Sequence, residues 1–194
     1  MPILGVISSG ISGHLETNSF KSIATVTVGS PQATISFTSI PSTFKHLQIR
    51  YIGRSTTANN FSSFIEATFN SDTNSGNYYS LHRMNARGDG LVYATGNTGV
   101  GYSRIGLIAG GTMSANNFVP GIIDILDYTS TTKNKTTRTI AGSAGQGTST
   151  NNDILFGSSL YFPPTIAAIS TIDLNVSGAN FAQYSSFALY GIQG

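Results

Sequence analysis

Apolar and polar side chains alternate with period two along most of this chain, the spacing of half-buried β-strands. Residues 22–28 set Ile23, Thr25 and Thr27 against Ala24, Val26 and Val28. Residues 34–38 put Ile35 and Phe37 on one face. Residues 45–54 turn Leu47, Ile49 and Tyr51 inward and His46, Gln48 and Arg50 outward, and residues 62–70 group Ile65, Ala67 and Phe69. Further strands are predicted over 78–84, 104–109, 122–128, 135–141, 154–161, 170–176 and 185–192. Gly, Asn, Ser and Pro clusters separate them, as turns require. Helical spacing appears over no useful length. So many short strands imply an all-β sandwich or barrel.

One hairpin is predicted in register. A turn centred on Thr131 places Asp127 opposite Lys135 and Asp124 opposite Arg138. Such cross-strand charge pairs contribute roughly 0.2–1 kcal/mol each. Strand 122–128 is apolar on both faces apart from its aspartates, which suits a strand covered by its own sandwich on one side and by a neighbour on the other.

Composition changes the picture in one respect. Charged residues make up 9% of the 194 and the net charge is +2, against about 25% charged residues in an ordinary soluble domain. Nucleic-acid binding through clustered Lys and Arg is not expected. Weak charge repulsion also leaves a free monomer little protection from self-association. The chain has no cysteine, which removes disulfides, thiolate metal sites and cysteine nucleophiles. No apolar run reaches the length of a membrane-spanning helix, so no membrane insertion is expected. Residues 1–20 read as an N-terminal arm whose Ile3, Leu4, Val6 and Ile7 dock on another subunit. The arm lacks the basic start of a signal peptide. Residues 21–194 read as a single β-sandwich domain.

A search for chemistry returns little. No phosphate-binding glycine motif and no nucleophile elbow occurs. His14, His46 and His82 are far apart and read as surface or interface residues. The run Asn70 to Ser75 starts like a calcium loop but has Ser75 and Leu81 where that loop needs Gly and Glu. The only glutamates are Glu16 and Glu66, and no pair of acids is spaced for glycoside hydrolysis. No catalytic residue, metal ligand or cofactor is therefore expected, and the chain is expected not to be an enzyme. Segments 86–103 and 142–152 read as polar loops. Arg87, Asp89 and Tyr102 in the first are the candidates for contact with a receptor, because exposed tyrosines stack on sugars and loops carry variation without harm to the core.

Several stretches resemble a family of small virion proteins of tailed bacteriophages. They are residues 1–13, the run Ile40-Pro41-Ser42-Thr43-Phe44-Lys45-His46-Leu47-Gln48-Ile49-Arg50, the runs Phe69 to Asp72 and Ile123 to Tyr128, and the ending Phe181 to Ile192. The resemblance implies an antiparallel, jelly-roll-like β-sandwich that forms homotrimers, located in the virion. It implies a tail-fibre or tail-tip component acting in assembly and host attachment, or alternatively a capsid decoration protein that stabilises the head shell. The implied partners are the chain itself, other virion proteins and a host surface glycan. No catalytic residues come with the resemblance.

Overall fold

The computed structural model describes residues 19–58, 60–72, 78–143 and 153–194. The docking arm, with Ile3, Leu4, Val6 and Ile7, and most of the loop 142–152 lie outside the described residues.

Twelve strands form two antiparallel sheets, and no helix occurs among the described residues. They are β1 (Phe20–Thr27), β2 (Thr34–Phe37), β3 (His46–Gly53), β4 (Ser62–Phe69), β5 (Tyr79–Arg87), β6 (Val92–Val100), β7 (Ser103–Ala109), β8 (Val119–Leu126), β9 (Lys135–Ser143), β10 (Asp153–Tyr161), β11 (Ile172–Val176) and β12 (Ser186–Ile192). The large sheet has the order β1-β12-β3-β8-β9-β10-β5-β6, and the small one β2-β11-β4-β7.

This topology is a jelly roll with additions. Set aside the hairpins β5–β6 and β9–β10, and the remaining strands pair in nested fashion: β1 with β12, β2 with β11, β3 with β8 and β4 with β7. That nesting is a long hairpin folded over into two Greek keys. The two added hairpins lengthen only the large sheet.

The core lies where the inner faces meet. Ile35, Leu47, Ile49, Ile65, Ala67, Phe69, Leu174 and Leu189 are buried, and each occupies the inward position of its alternation. Burying such a side chain contributes about 1.5–3 kcal/mol. Tyr51 shows how the sequence makes room for bulk. Its ring lies over Gly121 and Gly106, where an added Cβ would enter the ring's own space. Its hydroxyl donates to Leu107 O (2.9 Å) and accepts from Leu107 N (3.0 Å). Burial pushes this phenol well above its ordinary range.

Two sequence expectations need correction. Segment 86–103 is not a loop. It is the end of β5, a tight turn and all of β6, an edge strand exposed along most of its length. A strand wet on both faces shows no alternation, so the pattern that marks other strands is missing here. The pair Asp127–Lys135 also does not form. The register that joins Leu126 to Thr136 would aim Asp127 inward if the strand continued. Instead Asp127 takes φ +47°, and its carboxylate turns outward to Lys133 (2.9 Å) and Lys45 (3.6 Å). Lys135 is 1% exposed; its Nζ donates to the carbonyls of Ser130 and Lys133. Asp124 and Arg138 do stand opposite each other, with Arg138 Nη2 3.0 Å from Asp124 Oδ2.

Candidate interaction surfaces

The outer face of the large sheet carries an apolar belt. Cross-strand register aligns Ile122 of β8, Ile140 of β9, Phe156 of β10, Met84 of β5 and Ala94 of β6 in one row. The neighbouring row holds Ile154 of β10, Ala86 of β5 and Val92 of β6, with Ile52 and Pro120 paired at its other end. Ile140, Phe156 and Ile154 are 48%, 45% and 47% exposed. Isolated exposed hydrophobics are ordinary, but a contiguous field of them marks an interaction site. A shallow trough of about 800 Å³ lies over Phe156, Met84 and His82, and a smaller one of about 480 Å³ lies over Ile122, Ile140 and Ile154.

The next row, Gln48, Asp124 and Arg138, is polar and ordered, and Arg50, which stands opposite Ile122, reaches into it. Arg50 Nε donates to Gln48 Oε1 (2.7 Å), and Gln48 Nε2 donates to Asp124 Oδ1 (2.8 Å). The Asp124–Arg138 ion pair continues the line. Arg50 itself sits over the rings of Phe20 (4.9 Å) and Tyr190 (5.1 Å). The outer face is thus an apolar field bordered by a charged ladder, the anatomy of an interface core with a polar rim.

The belt ends on a bare edge. β6 reads Val92-Tyr93-Ala94-Thr95-Gly96-Asn97-Thr98-Gly99-Val100 and, among the described residues, pairs on one side only, with β5. It has none of the charges or prolines by which sheet edges are protected from another strand. His82 lies flat across Gly96, where a Cβ would clash with the imidazole.

The predicted receptor residues fall in a second region. Arg87, Gly88 and Asp89 form the β5–β6 turn, closed by Arg87 N to Leu91 O (2.8 Å). Gly90 follows at φ +84°, a conformation that suits glycine. Asp89 Oδ1 accepts from Leu91 N (3.1 Å) and Oδ2 lies 3.5 Å from Arg87, so both members hold the turn. Tyr102 has a separate partner: its hydroxyl accepts from Arg104 Nη2 (3.1 Å). Arg104 in turn pairs with Glu66 (3.1 Å). Sequence reasoning missed Arg83 and Arg104, which come together only because β5 of the large sheet packs against β7 of the small one. Both guanidinium groups lie over the ring of Phe64, at 3.9 and 5.4 Å.

The remaining candidates are structural. His46 Nδ1 accepts from Asp127 N (2.9 Å). Asn70 braces another loop through Ala168 O (2.8 Å) and Ser170 N (2.8 Å), and residues 73–75 of the calcium-like run lie outside the described residues. Among the described residues no three of His, Cys, Asp and Glu converge as a metal site would need.

No protein-family model matches the chain, and no curated protein matches it. Among solved structures it is similar to an alginate lyase mutant in complex with an alginate tetrasaccharide. The identity is 11%, the match covers 88% of this chain and 80% of that one, and the TM-score is 0.34. The expectation that the chain is not an enzyme is not supported by the comparisons, because the structure it is similar to is an enzyme. A likeness this slight assigns no activity to the chain.

Proposed function

We propose that the chain is a structural component of a bacteriophage particle, in the tail fibre or tail tip, that assembles as a homotrimer and contributes to host attachment. The apolar belt carries this reading. A field of Ile, Phe and Met side chains nearly half open to water costs solubility in a free monomer and favours association. The low charge of the chain points the same way, because little repulsion opposes packing against a second copy. We assign the cover of the belt to another copy of this chain. The belt runs out to the unprotected edge of β6, so subunit contact would cover the field and the edge together. The virion assignment rests on the sequence resemblance in residues 1–13, 40–50, 69–72, 123–128 and 181–192.

Imaging particles that carry a label on this chain tests the reading. Label at the tail end, with loss of adsorption when the chain is removed from otherwise intact particles, is the expected result. Label over the head shell, with fragile capsids on removal, would move the chain to a decoration role. A chain absent from purified particles would remove the virion reading altogether.

A further inference from the structure

The bare edge of β6 has a defined hydrogen-bonding side. Arg87 N donates to Leu91 O (2.8 Å) across the hairpin turn, and the register then runs without a shift from Ala86↔Val92 to Ser80↔Thr98. Antiparallel strands alternate hydrogen-bonded and non-bonded pairs, so Tyr93, Thr95 and Asn97 turn their backbone groups to β5. Val92, Ala94 and Gly96 turn theirs away from the sheet. The Thr98 amide, next in that outward series, donates to the side chain of Asn97 (3.1 Å). Among the described residues no strand covers this edge, and residues 92–98 are all exposed. An outward row of alternating N–H and C=O groups is what one added strand satisfies.

The opposite edge of the same sheet points to the occupant. β1 closes that side, and Gln193 N donates to Ser19 O (3.1 Å), so the chain that precedes β1 departs from the far edge. That preceding segment carries the uncharged, apolar run Ile3-Leu4-Gly5-Val6-Ile7, equal in length to Val92–Gly96. Seven strand spacings separate β1 from β6, about 34 Å. The stretch from Ile7 to Phe20 spans about 45 Å when fully extended. To meet its own β6, the chain would have to cross the apolar belt almost straight. A second copy seated on the belt closes that route and offers another β6 edge instead.

We propose that residues 3–7 of one copy add to β6 of the next as a ninth strand of its large sheet. Backbone bonds to Val92, Ala94 and Gly96 hold the strand, and its apolar side chains prolong the belt row beyond Ala94. Strand addition of this kind needs no charge on either side, which suits an edge and an arm that both lack it. The two surfaces in contact are different, so the contact passes head to tail and closes into a ring, the symmetry of a trimer. This inference deepens the subunit-contact reading of the belt and rests on it.

The chain has no cysteine, so engineered thiols report this contact without background. One full-length copy carries Thr95→Cys, at a position not hydrogen-bonded to an added strand, where facing Cβ atoms come within disulfide distance. A co-expressed copy carries Cys in place of Ile3, Leu4, Gly5, Val6 or Ile7 in turn. Oxidation should give a mixed disulfide at alternate arm positions, and none with Thr132→Cys in the β8–β9 turn. Leu4→Asp with Val6→Asp should raise the concentration at which the trimer dissociates about tenfold or more, as the loss of buried apolar side chains requires. Ala94→Pro, which removes only an outward N–H, should do the same, and the arm variant carries the test if Ala94→Pro folds poorly. A disulfide within a single chain bearing Thr95→Cys and Val6→Cys would put the chain's own arm on the edge. A disulfide between two Thr95→Cys copies would put a second β6 there. Either result overturns the proposal. Trimers that form with no arm disulfide would also overturn it while leaving the belt contact standing, and a chain that stays monomeric would remove both. Mixed disulfides in a chain absent from particles would support the exchange while removing the virion reading.

Discussion

Phe156 of β10 stands directly opposite Met84 of β5, and each leaves close to half its surface in water. Leu155, one residue away, is 2% exposed. A single strand therefore presents an apolar side chain to both faces, and only one is covered by the chain's own sandwich. The two positions should respond differently to truncation. Leu155→Ala should cost about 2–5 kcal/mol, as for other buried leucines. Phe156→Ala should cost about 1 kcal/mol or less in dilute chain, because it creates no cavity. Urea unfolding at low protein concentration measures both, and equal losses would place Phe156 in the core instead.

The strands were largely legible in the sequence because an inward side chain on every second residue is what one covered face imposes. β3 and β4 show this, with Leu47, Ile49, Tyr51 and Ile65, Ala67, Phe69 all buried. β6 was not legible, since an edge strand with both faces wet is under no such constraint. The belt was legible only at Ile122, where apolar residues on both faces of β8 signalled a second cover. Joining Ile122 to Ile140, Phe156 and Met84 requires the register of β8, β9, β10 and β5, which no local pattern contains. The Arg83–Phe64–Arg104 cluster was hidden for a similar reason, because its members meet across two sheets.

Asp124 and Arg138 form one rung of the polar ladder, with Arg138 largely exposed and Asp124 less so. The pair should be worth about 0.2–1 kcal/mol, as exposed cross-strand pairs are. A double-mutant cycle with Asp124→Asn and Arg138→Gln reads that coupling. It should shrink in high salt. A coupling that ignores salt would mean that the ion pair is not its source.

Asp127 has its carboxyl held below the ordinary carboxylate range, chiefly by the hydrogen bond from Lys133 and further by the charges of Lys133, Lys45 and His46, against an opposing effect of burial. A folded pKa below the unfolded one means that the unfolded chain takes up the proton first as pH falls. The stabilisation is present above the usual carboxylate pKa and is lost as pH drops through the lower folded value. Asp127→Asn should therefore flatten the acid side of the stability curve. Thermal melts across the acid range at low salt give the comparison, and parallel curves would show that Asp127 is not the group concerned.

Gly121 faces the Tyr51 ring so closely that no Cβ fits. Gly121→Ala should cost about 1–3 kcal/mol by overpacking. Tyr51→Phe, which keeps the ring and removes the hydroxyl that bonds both Leu107 N and Leu107 O, should cost about the same. Chemical denaturation reads both, and a neutral Gly121→Ala would show that the ring can move aside.

Sedimentation of the purified chain at micromolar concentration, beside an Ile140→Asp, Phe156→Asp variant, asks whether the outer sheet face is a subunit contact. The wild type should sediment as a trimer and the variant as a folded monomer. A wild-type chain that remains monomeric and soluble, or a variant that still assembles, would contradict the assignment of the belt to a second copy.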